Sequence, residues 1–311
     1  MLVWMRLLRA RVLPHGWVDA LRQFLLFAGT FEGYRLVRGL VEGRATAAFQ
    51  NAREVIAIER TLHVFVEPSI QAWVSGSQLI MTVASWIYVN AQTSVTFGAL
   101  VFLYVFHNRN FYFVRNMLII GMGLALISYL VFPTAPPRFF PEWGFIDTVS
   151  DFTGVNVSQA SATANALFNP YAAVPSMHVA FALMIGWPLA RLSHWRAVRI
   201  VWRLYPLLIA FVIVVTANHF IADAVLGAVT AAISAYGARR LSRHNPAWSF
   251  SPDDGLPVRD QGGLRRELPL GVAGESAGAL LRHATTWTDA GPSPPPGGSP
   301  GTPLARRAVG R

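Results

Sequence analysis

The chain has 311 residues, 53% of them hydrophobic and only 14% charged, where an ordinary soluble domain carries about a quarter charged residues, so lipid is expected to be part of its solvent. All 26 basic residues are arginine, the formal net charge is +10 and cysteine is absent, which excludes lysine catalysis, disulfides, thiol nucleophiles and thiolate metal sites. Surplus arginine can mark nucleic-acid binding, but here it flanks apolar runs, as anionic lipid and the positive-inside rule favour, so no nucleic-acid partner is expected.

Residues 1–42 combine a basic start, with Arg6, Arg9 and Arg11, and a first apolar run over roughly 17–41. That run contains Glu32, Arg35 and Arg38, so it reads as a weaker span whose polar groups face protein or the interface. The arginines and the Ala45-Thr46-Ala47 triplet imitate a secretion signal, yet charges inside the apolar run argue against cleavage. Residues 43–76 read as one amphipathic helix at the interface, with Glu54, Glu59 and Glu67 set among Val55, Ile56, Ile58, Leu62 and Val66.

A bilayer core of about 30 Å needs roughly 20 apolar residues. Stretches 77–106, 114–132, 173–190, 198–217 and 221–238 meet this. As a single helix the first would be about 45 Å long, so its opening part is expected to run obliquely and the true span to begin near Thr93. With the weaker first run there are about six spans. The predicted fold is all-α, a polytopic membrane helical bundle with an interfacial amphipathic helix, its core covering 43–243. From 244 onward Pro, Gly, Ser and Arg dominate, including Ser293-Pro294-Pro295-Pro296-Gly297-Gly298. Such composition predicts a disordered cytoplasmic tail over 244–311, with loose binding to anionic membrane lipid as its alternative role.

Arginine asymmetry sets the orientation. Arg109 and Arg115, then Arg191, Arg196, Arg199 and Arg203, then Arg239, Arg240 and Arg243 mark cytoplasmic ends. The loop 133–172 has only Arg138 beside Glu142, Asp147 and Asp151, and the turn near Asn218 has no basic residue, so both face outward. The expectation is a multi-pass protein of the cell membrane with both termini cytoplasmic.

Two polar clusters open onto that outer face, Pro175-Ser176-Met177-His178 and Asn218-His219-Phe220-Ile221-Ala222-Asp223. Residues four apart share a helix face, so Asp223 can reach back to His219 and fix which ring nitrogen keeps its lone pair, leaving the imidazole to act as nucleophile or base. A helix N-terminus offers unpaired N–H groups, so the backbone at Ser176 and Met177, with the Ser176 hydroxyl, could cradle phosphate oxygens. His178, on the first turn, could protonate a leaving oxygen. In Phe132-Pro133-Thr134-Ala135-Pro136-Pro137-Arg138, three prolines in five residues stiffen an extended segment that can hold the Arg138 guanidinium toward phosphate. Two imidazoles and one carboxylate are a thin ligand set for a phosphate-handling metal, so neither metal nor cofactor is expected.

In combination these segments resemble the type 2 phosphatidic acid phosphatase superfamily, in its branch similar to inositol phosphorylceramide synthases (inositolphosphotransferases), over about residues 50–240. FPTAPPRFFP stands for the first motif, VPSMHVAFAL for the second and TANHFIADAVLGA for the third. The resemblance implies a six-helix core and metal-independent chemistry in which His219 attacks phosphorus to form a phosphohistidine, Asp223 orients it, His178 protonates the leaving alcohol, and Ser176 with Arg138 helps hold phosphate. Superfamily phosphatases usually also carry a lysine ahead of the first-motif arginine and a Ser-Arg pair before the third-motif histidine. This chain has no lysine, and Val212-Ile213 occupies the latter place. Fewer fixed cations favour a phosphodiester over a dianionic monoester, which points to transfer between a lipid and an alcohol. The expected partners are a lipid phosphate or polyprenyl phosphate substrate, an alcohol acceptor such as inositol, and membrane lipids. A silent scaffold or lipid-binding protein, or a transporter, stays open as an alternative.

Overall fold

The computed structural model describes residues 13, 15–39, 44–154 and 171–252. The basic N-terminal segment, residues 155–170 of the expected outer loop and the tail beyond 252 lie outside the described residues. The helices are α1 (Gly16–Gly39), α2 (Ala45–Thr61), α3 (Glu67–Ser75), α4 (Gln78–Phe106), α5 (Asn108–Val131), α6 (Thr148–Thr153), α7 (Met177–Leu192), α8 (Arg196–Val215) and α9 (Ile221–His244). No strand occurs among the described residues, and the all-α membrane bundle expected from the hydropathy pattern is what forms.

Four helices, α4, α5, α8 and α9, are long and apolar enough to cross a bilayer. α7 is apolar but has 16 residues, which rise only about 24 Å. It begins later than the hydropathy predicts because 171–175 is drawn into pairing with the first-motif loop, and the Val174–Pro175 peptide there is cis. α1 has 24 residues and keeps its charges along its length. α4 runs as one uninterrupted helix through Thr93, and its inward face, Ala84, Ala91, Ala99 and Leu103, is continuous on both sides of that position.

The expected single helix over 43–76 is two. α2 stops at Thr61, His63 takes a positive φ of 57°, and α3 restarts at Glu67 with Pro68 in its first turn, where a missing N–H costs nothing. Ile58 and Leu62, expected on the apolar face, are exposed. The buried stripe is Ala48, Ala52, Val55, Ile56 and Glu59.

The core lies where α5, α7 and α9 meet, around Met117, Leu118, Met122, Phe181, Met184 and Ile185. Outward faces carry Leu79, Trp86, Val131, Leu207 and Val225, all well exposed from the protein. In water each would forgo about 1.5–3 kcal/mol of burial, which hydrocarbon solvent removes. Arg115 is not a loop residue as the charge count assumes. It lies within α5, buried against Gln23 and Asn116 and near the Tyr112 and Trp248 rings. The described residues continue past His244. Phe250 packs against Trp187 and Phe113, and Ser251 bonds Asn110 in both directions, so 245–252 closes the arginine-rich end of the bundle.

Candidate active site

Three backbone connections assemble the motifs. The first-motif loop pairs with the segment before α7 through Thr134 N–H to Tyr171 O (2.9 Å) and Ala173 N–H to Thr134 O (3.2 Å). The Arg138 N–H donates to Ala217 O at 2.8 Å, joining that loop to the turn before α9. The Ser176 N–H donates to Asp223 O at 3.0 Å, joining the start of α7 to the start of α9. Gly227 permits that last approach, since a Cβ there would stand 2.4 Å from Ser176 O.

Arg138, Met177, His178 and His219 consequently line one cavity of about 40 Å³, together with Tyr34, Gln92 and Asn218. At ~10–15 Å³ for each water-sized centre, it holds about three, the scale of a set of phosphate oxygens. A larger cavity of about 630 Å³ lies at the far end of α4, α7 and α8, lined by such residues as Phe102, Leu189 and Trp202. Its size does not make it the site, because none of the three motifs reaches it.

The two imidazoles face one another with ring centroids 5.6 Å apart and planes at 61°. His219 Nδ1 lies 2.9 Å from Ala173 O and 3.3 Å from Asp223 Oδ2. Both are acceptors, so Nδ1 must carry the proton and Nε2 the lone pair. The carbonyl, invisible to the motif, is the nearer of the two anchors. His219 also precedes α9 instead of sitting on it. Asp223 reaches it from the third position of the helix while the same Oδ2 accepts the Phe220 N–H at 2.9 Å. His178 stacks on Tyr88 at 4.4 Å and its Nε2 lies 3.3 Å from Tyr88 O. With that nitrogen donating to a carbonyl, His178 has a second proton to give only as the imidazolium.

Arg138 donates through Nη1 to Asn218 Oδ1, and its Nε stands 3.7 Å from Asp147 Oδ2, close enough for attraction but too long for a hydrogen bond. Arg35 is paired with Glu32, and Arg60 lies over the Trp143 ring. Among the described residues Arg138 is the arginine that lines the cavity. Ser176 lies back from the cavity. Its N–H is already bonded to Asp223 O, and its hydroxyl is buried with no partner among the described residues and does not line the cavity. Ser176 and Asp223 stand behind the cavity wall that Met177, His178 and His219 form.

A family model described as the PAP2 superfamily matches residues 53–237, more than half of the chain. The chain belongs to that superfamily. Neither a search of curated proteins nor one of solved structures returned a match. PAP2 membership makes this a phosphatase- or phosphotransferase-type membrane protein, and the three motifs around the cavity are those that resemble its signature.

Two further acids, not singled out by motif, hold the start of α9 behind the cavity. Glu67 Oε1 accepts the Ile221 N–H at 2.9 Å and Glu59 Oε1 accepts the Ala222 N–H at 2.7 Å. With Asp223 on Phe220, three carboxyls cap the first three N–H groups at the start of α9, which have no intrahelical partner. Glu59 and Glu67 are 1% and 0% exposed. Burial pushes the Glu59 carboxyl up to about 8 despite the Ala222 hydrogen bond, and the neighbouring Glu67 and Asp223 add to the rise. Glu59 continues the buried stripe of α2, a phase that marks it as buried but not what it caps. No three His, Asp or Glu side chains among the described residues are grouped as metal ligands.

Proposed function

We propose that the protein transfers a phosphoryl or substituted phosphoryl group from a membrane lipid through a phosphohistidine at His219, working on the extracytoplasmic face. The observation that carries this is the pairing of His219, with Nδ1–H fixed by Ala173 O and Asp223, against His178 at 5.6 Å. Nε2 of His219 attacks phosphorus as the bond to the leaving alcohol oxygen breaks, and imidazolium His178 supplies that oxygen with a proton. Neutral His178 then takes a proton from the acceptor, whose oxygen displaces His219 from phosphorus. Arg138, pre-oriented by Asn218 and Asp147, offsets the charge that develops on the phosphoryl oxygens.

A single lining arginine supports a monoanionic diester donor over a dianionic monoester, and so supports transfer to an alcohol such as inositol rather than to water. That preference ranks a phosphatidylinositol-type diester above polyprenyl-phosphate and phosphatidate monoesters as donor. Purified protein given phosphorus-labelled donor, with and without inositol and with and without EDTA, tests the reading. Label moving from the donor to a water-soluble inositol phosphate ester in the presence of inositol, unaffected by EDTA and abolished by His219→Ala and His178→Ala, is expected. Full turnover in both variants would contradict it.

A further inference from the structure

α1 is fastened to α4 and α5 near both ends, and to Arg115 of α5 through Gln23. Near its start, Asp19 accepts hydrogen bonds from Tyr104 on α4 (3.0 Å) and Tyr112 on α5 (3.1 Å). Near its end, the Tyr34 hydroxyl lies 3.3 Å from that of Tyr129 on α5. Between these anchors a separate cavity of about 210 Å³ opens between α1 and α4, lined chiefly by Phe24, Phe27, Phe31, Phe97 and Phe181.

Two observations join this cavity to the candidate active site. Gln92 lines both. On α1, Phe24, Phe27 and Phe31 continue at helical spacing to Tyr34, and Tyr34 lines the cavity that holds His178 and His219. Ten residues of helix rise about 15 Å, so the aromatic stripe leads from the phosphorus-binding position along the membrane-facing depth of the bundle. Phe24 and Phe97, at its outer edge, are 53% and 50% exposed. The slot is therefore open sideways, toward the hydrocarbon in which α4 lies. Its volume is below the ~300 Å³ at which pockets for whole drug-sized ligands begin, so it takes part of one chain and not a headgroup or two chains side by side.

We infer that the α1–α4 groove is the binding site for one hydrocarbon chain of the lipid phosphate whose phosphorus lies at His219, and that α1 selects donors by that chain. This rests on the transfer reading above for the identity of the head, but its test does not depend on turnover. Hexadecyl phosphate carrying a mid-chain diazirine, photolysed with the full-length protein in nanodiscs and mapped by mass spectrometry, should label residues 24–31 and 92–97. Ala28→Trp, which fills the groove, should cut that labelling at least fivefold. Leu25→Trp, on the same helix outside the groove, should leave it within twofold. Labelling concentrated on α8, or in the larger cavity between α4, α7 and α8, would overturn the inference, as would groove labelling indifferent to Ala28→Trp. The same labelling in His219→Ala protein is expected. Groove labelling kept while label transfer to an acceptor is absent from the wild type would count against the transfer reading alone.

Discussion

Gly227 of α9 rests on the carbonyl oxygen of Ser176, so close that a methyl group on Gly227 would sit 2.4 Å from it. That contact joins the start of α7, which carries His178, to the helix that carries Asp223. Gly227→Ala must push backbone against backbone, and is expected to destabilise by about 1–3 kcal/mol as overpacking does and to lower activity with it. Gly123→Ala, also mid-helix but with nothing within 4 Å of the added carbon, should instead be neutral or stabilising by up to ~1 kcal/mol. Thermal unfolding of the two variants in one detergent compares them directly.

The third motif and its neighbours show what a sequence can reveal. His219 and Asp223 are four apart, so their pairing is local and readable. His178 and Arg138 were readable too, through proline and helix-start context. Glu59 and Glu67 were not, because the N–H groups they cap lie 163 and 154 positions away, and distance in sequence carries no spacing rule. Nor could Ala173 O be foreseen, since a backbone carbonyl has no residue type. Pro68 marks the start of α3, but the apolar residues on either side continue one periodicity across the break.

Asp223→Asn should keep the His219 Nδ1 proton directed at Ala173 O, the nearer partner at 2.9 Å. Loss of an orienting carboxylate in a hydrolase triad costs about 10⁴-fold. With a second anchor in place the loss here should be smaller, about 10²-fold in kcat, while His219→Ala leaves nothing above background. Steady-state rates on the two variants at equal folded protein check the order.

Glu59 couples stability to pH. Its folded value of about 8 lies above the ordinary 4.5, so the folded protein holds more protons than the unfolded chain between those values. Its contribution is complete below about 4.5 and fades as pH rises through 8. Glu59→Gln keeps an acceptor for the Ala222 N–H and should flatten the decline in Tm between pH 6 and 9. Glu59→Ala strands that N–H and should cost about 1–3 kcal/mol at low pH, a deficit that shrinks as pH rises and the wild type loses the Glu59 contribution. Melting curves across the range separate the three proteins.

Arg138→Lys retains a charge but loses the planar fork that bonds Asn218 while facing Asp147. It should lower kcat/KM by about 10–10²-fold, near the loss produced by removing one oxyanion donor, with Arg138→Ala worse still. Titration of substrate against each variant reads this out, and near-wild-type kcat/KM for Arg138→Ala would remove Arg138 from the phosphate site.

The central claim is a covalent bond between phosphorus and Nε2 of His219. Brief reaction with phosphorus-labelled lipid donor, alkaline quench and peptide mapping should recover label on the peptide containing His219, stable in base and lost in acid, with none in His219→Ala. Label appearing undiminished in His219→Ala, or turnover with no labelled protein under any quench, would contradict it.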